Sequence, residues 1–178
     1  RGVFVYVMLD GYASGGLSKE FISRLTEAWV YFRFFMPLFR SNSFYLGRRL
    51  HHKVVVADAR IAMVAGVNIS NRYNDLPGAP GWLDWAICVE GDAARQLDSV
   101  CVKTWNRAVF KENCKAVNVP IQVFPVAGQC SVRVRRNDWV YKKTQISKTY
   151  RELFNNAKSD VILMTSYFWP PWKLLRCM

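Results

Sequence analysis

The sequence has only two histidines, adjacent at His51 and His52, and its five cysteines form no Cys-x-x-Cys pair. Cys88, Cys101, Cys114, Cys130 and Cys177 are odd in number and widely spaced, and no mixed Cys/His pair stands at zinc spacing. Neither a metal site nor a disulfide framework is indicated, and a reducing compartment fits best. A long apolar run is also missing. The best stretch, residues 29–39, is interrupted by Arg33 and Pro37, so any membrane-spanning segment would have to lie outside this chain. Nothing at the start resembles a signal peptide, but the chain begins as if in mid-fold. Acidic residues are scarce: 13 Asp and Glu stand against 25 Lys and Arg, a net charge of +12. Such a surface attracts polyanions, whether nucleic acid, anionic lipid headgroups or phosphorylated substrates; the plain alternative is a basic soluble protein with no anionic partner.

What is present suits a packed domain. With 51% hydrophobic residues in 178 positions, the chain can bury a core, and its 21% charged residues are not gathered into long blocks, which excludes global disorder. Residues 3–9 form an apolar run that stops at Asp10-Gly11, the pattern of a buried strand ending in a turn. Residues 17–28 follow with helical spacing, Leu17, Phe21, Ile22, Leu25 and Ala28 on one face and Ser14 or Ser18 as cap, and residues 31–35 read as a second strand. This strand–helix–strand order implies an α/β layer with parallel neighbours. Residues 37–47 read as an aromatic, basic loop. Two strands, 50–58 and 61–67, then join through a tight connection at Asp58-Ala59-Arg60 that suits a hairpin. A loop over 71–81, a strand over 84–89 and a helix over 91–109 come next, the helix with Ala94, Leu97, Val100, Cys101 and Trp105 along one side. Residues 117–126 read as a proline-bounded linker or edge strand. Residues 131–151 hold seven Lys/Arg against one Asp. A helix over 148–158 and a strand over 161–166 begin a new unit that the chain does not complete, and the whole reads as a fragment of something larger.

The chemistry concentrates in His51-His52-Lys53-Val54-Val55-Val56-Ala57-Asp58, a His-x-Lys-x4-Asp pattern. On an extended strand, side chains alternate, so His51 and Lys53 share a face. A neutral imidazole can attack phosphorus while a neighbouring ammonium neutralises the non-bridging oxygens that gain charge in the transition state. Asp58 closes the strand on the opposite face and suits bracing rather than attack; His52 also points away. Ten residues beyond Asp58, the next strand ends in Ala65-Gly66-Val67-Asn68. If the strands pair, Asn68 reaches the same phosphate with an amide N–H, and Gly66 lets a phosphodiester approach the backbone.

His51-x-Lys53-x4-Asp58-x6-Ala65-Gly66-x-Asn68 resembles the HKD motif of the phospholipase D superfamily, which usually has two small residues where this chain has Ala65-Gly66. Arg1-Gly2-Val3 leading into Val7-Met8-Leu9-Asp10-Gly11 is similar to the strand before the motif in the bacterial cardiolipin synthases of that superfamily. Gly81-Trp82-Leu83-Asp84 followed by Val89-Glu90-Gly91 resembles the segment after it. Ala157-Lys158-Ser159-Asp160-Val161 through Tyr167-Phe168-Trp169-Pro170 resembles the opening of the second repeat. The likeness is weakest over residues 111–128. It implies an α/β/α sandwich with a mixed, largely parallel sheet, a first repeat over 1–145 and the beginning of an incomplete second repeat over 146–178. It further implies catalysis without metal or cofactor: His51 is the nucleophile that becomes a phosphohistidine, and Lys53, Gly66 and Asn68 are the phosphate-binding residues. Asp58 completes the motif, and Asp84 matches an acidic residue that holds the imidazole through its far nitrogen. The plain reading of Asp84 is a carboxylate at a strand start. With one motif here, the second comes either from beyond Met178 or from a dimer mate, and the isolated chain is expected to be inactive or nearly so.

The implied reaction is phosphatidyl transfer on an anionic phospholipid of the phosphatidylglycerol type, at the cytosolic side of a bacterial cytoplasmic membrane. Phe32, Phe34, Phe35, Phe39 and Phe44, interleaved with Arg33 and Arg40, suit a membrane interface, although Phe32 and Phe34 also suit a strand's core. Two other readings stand. A nuclease of the same superfamily would use the same basic and aromatic residues on single-stranded nucleic acid. A non-catalytic basic docking module is the third, against which the His51, Lys53 and Asn68 set argues.

Overall fold

A computed structural model describes residues 2–35, 49–107, 130–138, 143–165 and 167–178. It divides into two compact units, residues 1–129 and 130–178. The loop expected over 37–47, with Phe39, Arg40 and Phe44, lies outside the described residues, as do the segment 117–126, Cys114 and the last two residues of the helix expected over 91–109. Among the described residues no helix is long and apolar enough to cross a membrane.

In the first unit, β1 (Val5–Asp10) leads through α1 (Lys19–Glu27) to β2 (Val30–Phe35), and β1 and β2 pair in parallel from Val5↔Val30 to Asp10↔Phe35. This is the expected strand–helix–strand unit, with β1 set two residues later at its start. Ser18 is the cap: its Oγ accepts the Phe21 N–H at 3.1 Å, a contact typically worth about 1 kcal/mol. A second sheet has the order β3 (Val54–Ala57), β4 (Ile61–Ala65), β5 (Ala86–Glu90), all antiparallel. The fold is therefore mixed α/β as expected, with parallel pairing confined to β1 and β2 among the described strands.

Helix α2 (Asp92–Arg107) packs against β3, β4 and β5. Alternation along the strands turns the row Val56, Ala62, Val89 toward it, with Ala62 buried, while Val55, Met63 and Cys88 on the other face are exposed. The helix answers with Ala93, Ala94 and Leu97, all buried. Small residues on both sides let helix and sheet approach closely, and the predicted helix face of Ala94, Leu97 and Trp105 is the one observed. Near the C-terminal end of α2, Trp105 is buried beneath β1 and β2. Its ring meets Tyr6 edge-on at 5.3 Å, and buried Arg33 stacks over it at 4.7 Å while donating from Nη1 to the Trp105 carbonyl at 3.0 Å. The same burial pushes the thiol of Cys101 up to about 11, with Asp98 adding to the shift.

The second unit holds a short ribbon, β6 (Asn137–Asp138) with β7 (Lys143–Thr144), then α3 (Gln145–Asn156) and α4 (Trp172–Leu175). The repeat boundary expected at 145/146 falls at the start of α3, inside this unit. Of the strand expected over 161–166, residues 161–165 join no ladder among the described residues, and residue 166 lies outside them.

Candidate active site

The β3–β4 hairpin is fixed by its turn. Asp58 and Ala59 both have φ of 52°, and the Arg60 N–H donates to the Ala57 carbonyl at 2.9 Å. Two consecutive positive φ values define the turn whose twist matches antiparallel strands. The tight connection expected from Asp58-Ala59-Arg60 is thus present. It also places Asp58 in the turn, about 16 Å along an extended strand from Lys53 at ~3.3 Å per residue, so Asp58 is not brought to His51 and Lys53.

At the opposite end the ladder reaches one residue past β3: the Ala65 N–H donates to the Lys53 carbonyl at 3.0 Å. Continued alternation sets Lys53 on the face away from α2. His51 lies two residues before it, outside the ladder and exposed. The two are nevertheless in contact, since Lys53 Nζ donates to the His51 carbonyl at 3.0 Å. The strand expected from residue 50 therefore begins four residues later, and His51 sits in the lead-in segment.

Beyond β4, the Gly66 N–H donates to the Trp85 carbonyl at 3.0 Å, which carries Gly66 alongside Asp84. A Cβ at position 66 would lie 2.6 Å from Asp84 Oδ2 and 2.7 Å from its Cγ. The close approach that glycine permits here is occupied by the Asp84 carboxylate. Asp84 Oδ1 also accepts its neighbour's N–H, Trp85, at 2.7 Å. Gly66 and Asp84 are thus brought together.

Asn68 is held separately. Its Nδ2 donates to the Tyr73 hydroxyl at 3.2 Å. Tyr73 ends the 3₁₀ turn Asn71–Tyr73, and its ring meets Trp82 edge-on at 6.2 Å. Arg72 lies over the same indole at 5.3 Å, and its carbonyl accepts the Trp82 N–H at 2.8 Å. Gly81, whose absent Cβ would lie 3.1 Å from the Tyr73 backbone, closes this loop and donates to Asp75 Oδ1 at 2.8 Å. Nothing in the sequence singles out Tyr73, which stands in the segment that reads only as a loop over 71–81.

From sequence Asp10 reads only as the residue after a strand; it is the last residue of β1 and the centre of a hydrogen-bonded cluster. Its carboxylate accepts the N–H groups of Tyr12 and Ala13 at 3.1 and 2.8 Å, that of Leu50 at 2.7 Å, and Arg49 Nε at 2.9 and 3.1 Å. The Arg49 guanidinium lies 4.3 Å from the Tyr12 ring centroid. Burial alone would raise the Asp10 pKa, but the bonds from Ala13, Leu50 and Arg49 outweigh it and hold the carboxyl below the ordinary aspartate value. No periodicity could reveal this cluster, because Arg49 and Leu50 stand 39 and 40 positions from Asp10.

No family model matches this chain. It is similar over its whole length to Cardiolipin synthase B of Escherichia coli (strain K12), 32% identical across 188 aligned positions that make up 44% of that protein. Cardiolipin synthase B of Salmonella typhi is likewise 32% identical, across 193 positions and 44% of its length. The Major cardiolipin synthase ClsA of Bacillus subtilis (strain 168) is 27% identical over 98% of this chain and 37% of its own. The chain thus spans a little under half the length of the curated relatives it matches.

Proposed function

The chain belongs to the phospholipase D superfamily, among homologues of the cardiolipin synthases, and on that premise we propose that the whole protein is a phosphatidyltransferase in which His51 is the nucleophile. In the forward half-reaction His51 attacks the phosphorus of a phosphatidylglycerol-type lipid. The N–P bond forms, the P–O bond to the headgroup breaks, and glycerol leaves with a proton from an acid on the second motif, supplied elsewhere in the whole protein or by a second copy. The hydroxyl of another lipid then attacks phosphorus and the N–P bond breaks, its proton passing to the group that acted as acid. Lys53 meets the non-bridging oxygens, Asn68 adds an amide donor, and Asp84 orients the imidazole. Residues 146–178 begin the second repeat. The observation that carries this reading is an exposed His51 whose backbone carbonyl accepts the Lys53 ammonium at 3.0 Å, in a segment homologous to cardiolipin synthases.

The proposed partner surface is an anionic membrane. In the second unit, Lys148, Arg151, Lys173 and Arg176 line an open cavity of about 480 Å³, and Trp169 and Trp172 are exposed beside it in sequence. Cations with neighbouring indoles suit phosphate headgroups at a lipid interface. The test is to give the whole protein phosphatidylglycerol vesicles and, separately, single-stranded DNA. Glycerol release with cardiolipin formation supports the proposal; cleaved DNA with inert lipid replaces it with the nuclease reading; binding of either without turnover leaves a docking module.

A further inference from the structure

We propose that Asp10 is a positioning residue for His51, acting through the backbone of the segment that precedes it. The inference deepens the proposed function and rests on His51 being the reacting group. His51 lies outside the β3 ladder, so the strand's own hydrogen bonds do not fix it. The bond that fixes the chain immediately before it is from the Leu50 N–H to Asp10 Oδ2, at 2.7 Å. Asp10 in turn is the last residue of β1, seated by its parallel pairing with Phe35. The carboxylate therefore ties the lead-in of the HKD segment to the end of a strand built 40 residues earlier.

Only a carboxylate meets the demand. Oδ1 accepts from Tyr12, Ala13 and Arg49, while Oδ2 accepts from Leu50 and, at 3.1 Å, from Arg49 Nε again. All four partners are donors. An asparagine in the same place must turn its NH2 toward either Leu50 or the Tyr12–Ala13 turn, setting donor against donor. The Asp10 side chain is 10% exposed, so water does not readily replace the lost acceptor. Arg49 adds charge to the contact and rests on Tyr12, which holds the carboxylate in one orientation. A nucleophile whose placement depends on this bond loses rate when the bond loosens, because displacement by about 1 Å costs roughly a hundredfold in a well-aligned reaction.

The test compares the whole protein with its Asp10→Asn, Arg49→Gln and His51→Ala variants on phosphatidylglycerol vesicles, measuring kcat, KM and thermal unfolding. Asp10→Asn should lower kcat about 10- to 100-fold and change KM less than about threefold, since alignment is lost and substrate contacts are kept. Formation of the covalent intermediate should slow by the same factor. Arg49→Gln, which keeps the Leu50 bond, should lower kcat about threefold to tenfold. Asp10→Asn with kcat within twofold of the parent, while His51→Ala is inactive, would overturn the inference and leave the nucleophile standing. Full activity of His51→Ala would instead remove the proposed function. Should Asp10→Asn fail to fold, Arg49→Gln decides: an unchanged kcat overturns the inference, and a lowered kcat at unchanged KM supports it.

Discussion

At the turn end of β3 the chain is held by its own backbone, through Arg60 N–H to the Ala57 carbonyl and two positive φ angles at Asp58 and Ala59. At the other end, where His51 and Lys53 lie, the backbone ladder has almost run out and the chain is fastened by the side chain of Asp10. The turn end is local and self-sufficient. The His51 end depends on distant residues, and so does its neighbourhood: Gly66 is shaped around Asp84, and Asn68 is fixed by Tyr73. A strand whose geometry is secured at one end leaves the other free to expose polar groups, provided tertiary contacts supply the missing order.

The sharpest way to break this contrast is substitution at His51. His51→Ala in the whole protein should reduce turnover at least about a thousandfold, the loss expected when a covalent nucleophile is removed, with the unfolding midpoint unchanged. Next in size is Gly66→Ala. The new Cβ would collide with the Asp84 carboxyl at 2.6–2.7 Å, so Asp84 must move, costing about 1–3 kcal/mol of stability by overpacking and, on the role proposed for Asp84 in orienting the imidazole, roughly tenfold or more in kcat. Tyr73→Phe removes only the acceptor for Asn68; a loss of about twofold to tenfold in kcat/KM is expected, in keeping with one hydrogen bond of ~0.5–1.5 kcal/mol. The turn end should respond least. Asp58→Ala should leave kcat within about twofold, because its side chain is remote from the reacting groups, and any stability change reflects the cost of about 1 kcal/mol for a side chain less suited to positive φ. A large kcat loss there with an intact fold would erase the contrast between the ends.

Acid sharpens it further. The Asp10 pKa in the folded protein lies below the ordinary value, so its contribution to stability is present above the ordinary aspartate pKa and is lost as pH falls through the lower, folded one. Unfolding midpoints measured from pH 6 downward should fall less steeply in Asp10→Asn than in the parent; parallel curves would show that Asp10 is not the group being titrated.

Much of this was legible in the residues. Apolar periodicity placed β1, α1, β2 and the α2 face of Ala94, Leu97 and Trp105, because burial and spacing are local properties of sequence. The hairpin at Asp58-Ala59-Arg60 was readable from its short connection, and the His-x-Lys spacing is the local pattern on which the proposal for His51 and Lys53 rests. Strand ends were less readable: β3 begins at Val54, with one further ladder bond at Lys53, because β4 ends at Ala65 opposite it, and that is decided across strands. The partnerships Asp10 with Leu50, Gly66 with Asp84 and Asn68 with Tyr73 could not be read, because each is a side chain meeting a group that only the folded chain brings near. Gly66 is instructive here, since the sequence marked it for close approach to a phosphodiester, whereas the Asp84 carboxylate beside it is a neighbour that only the fold reveals.

The central claim is that His51 carries the phosphatidyl group, and the most direct measurement is mass analysis of the whole protein acid-quenched during turnover of phosphatidylglycerol. A phosphatidyl adduct on the peptide containing His51, absent from His51→Ala, is the predicted result. An adduct on a different residue, or turnover that survives in His51→Ala, would contradict it.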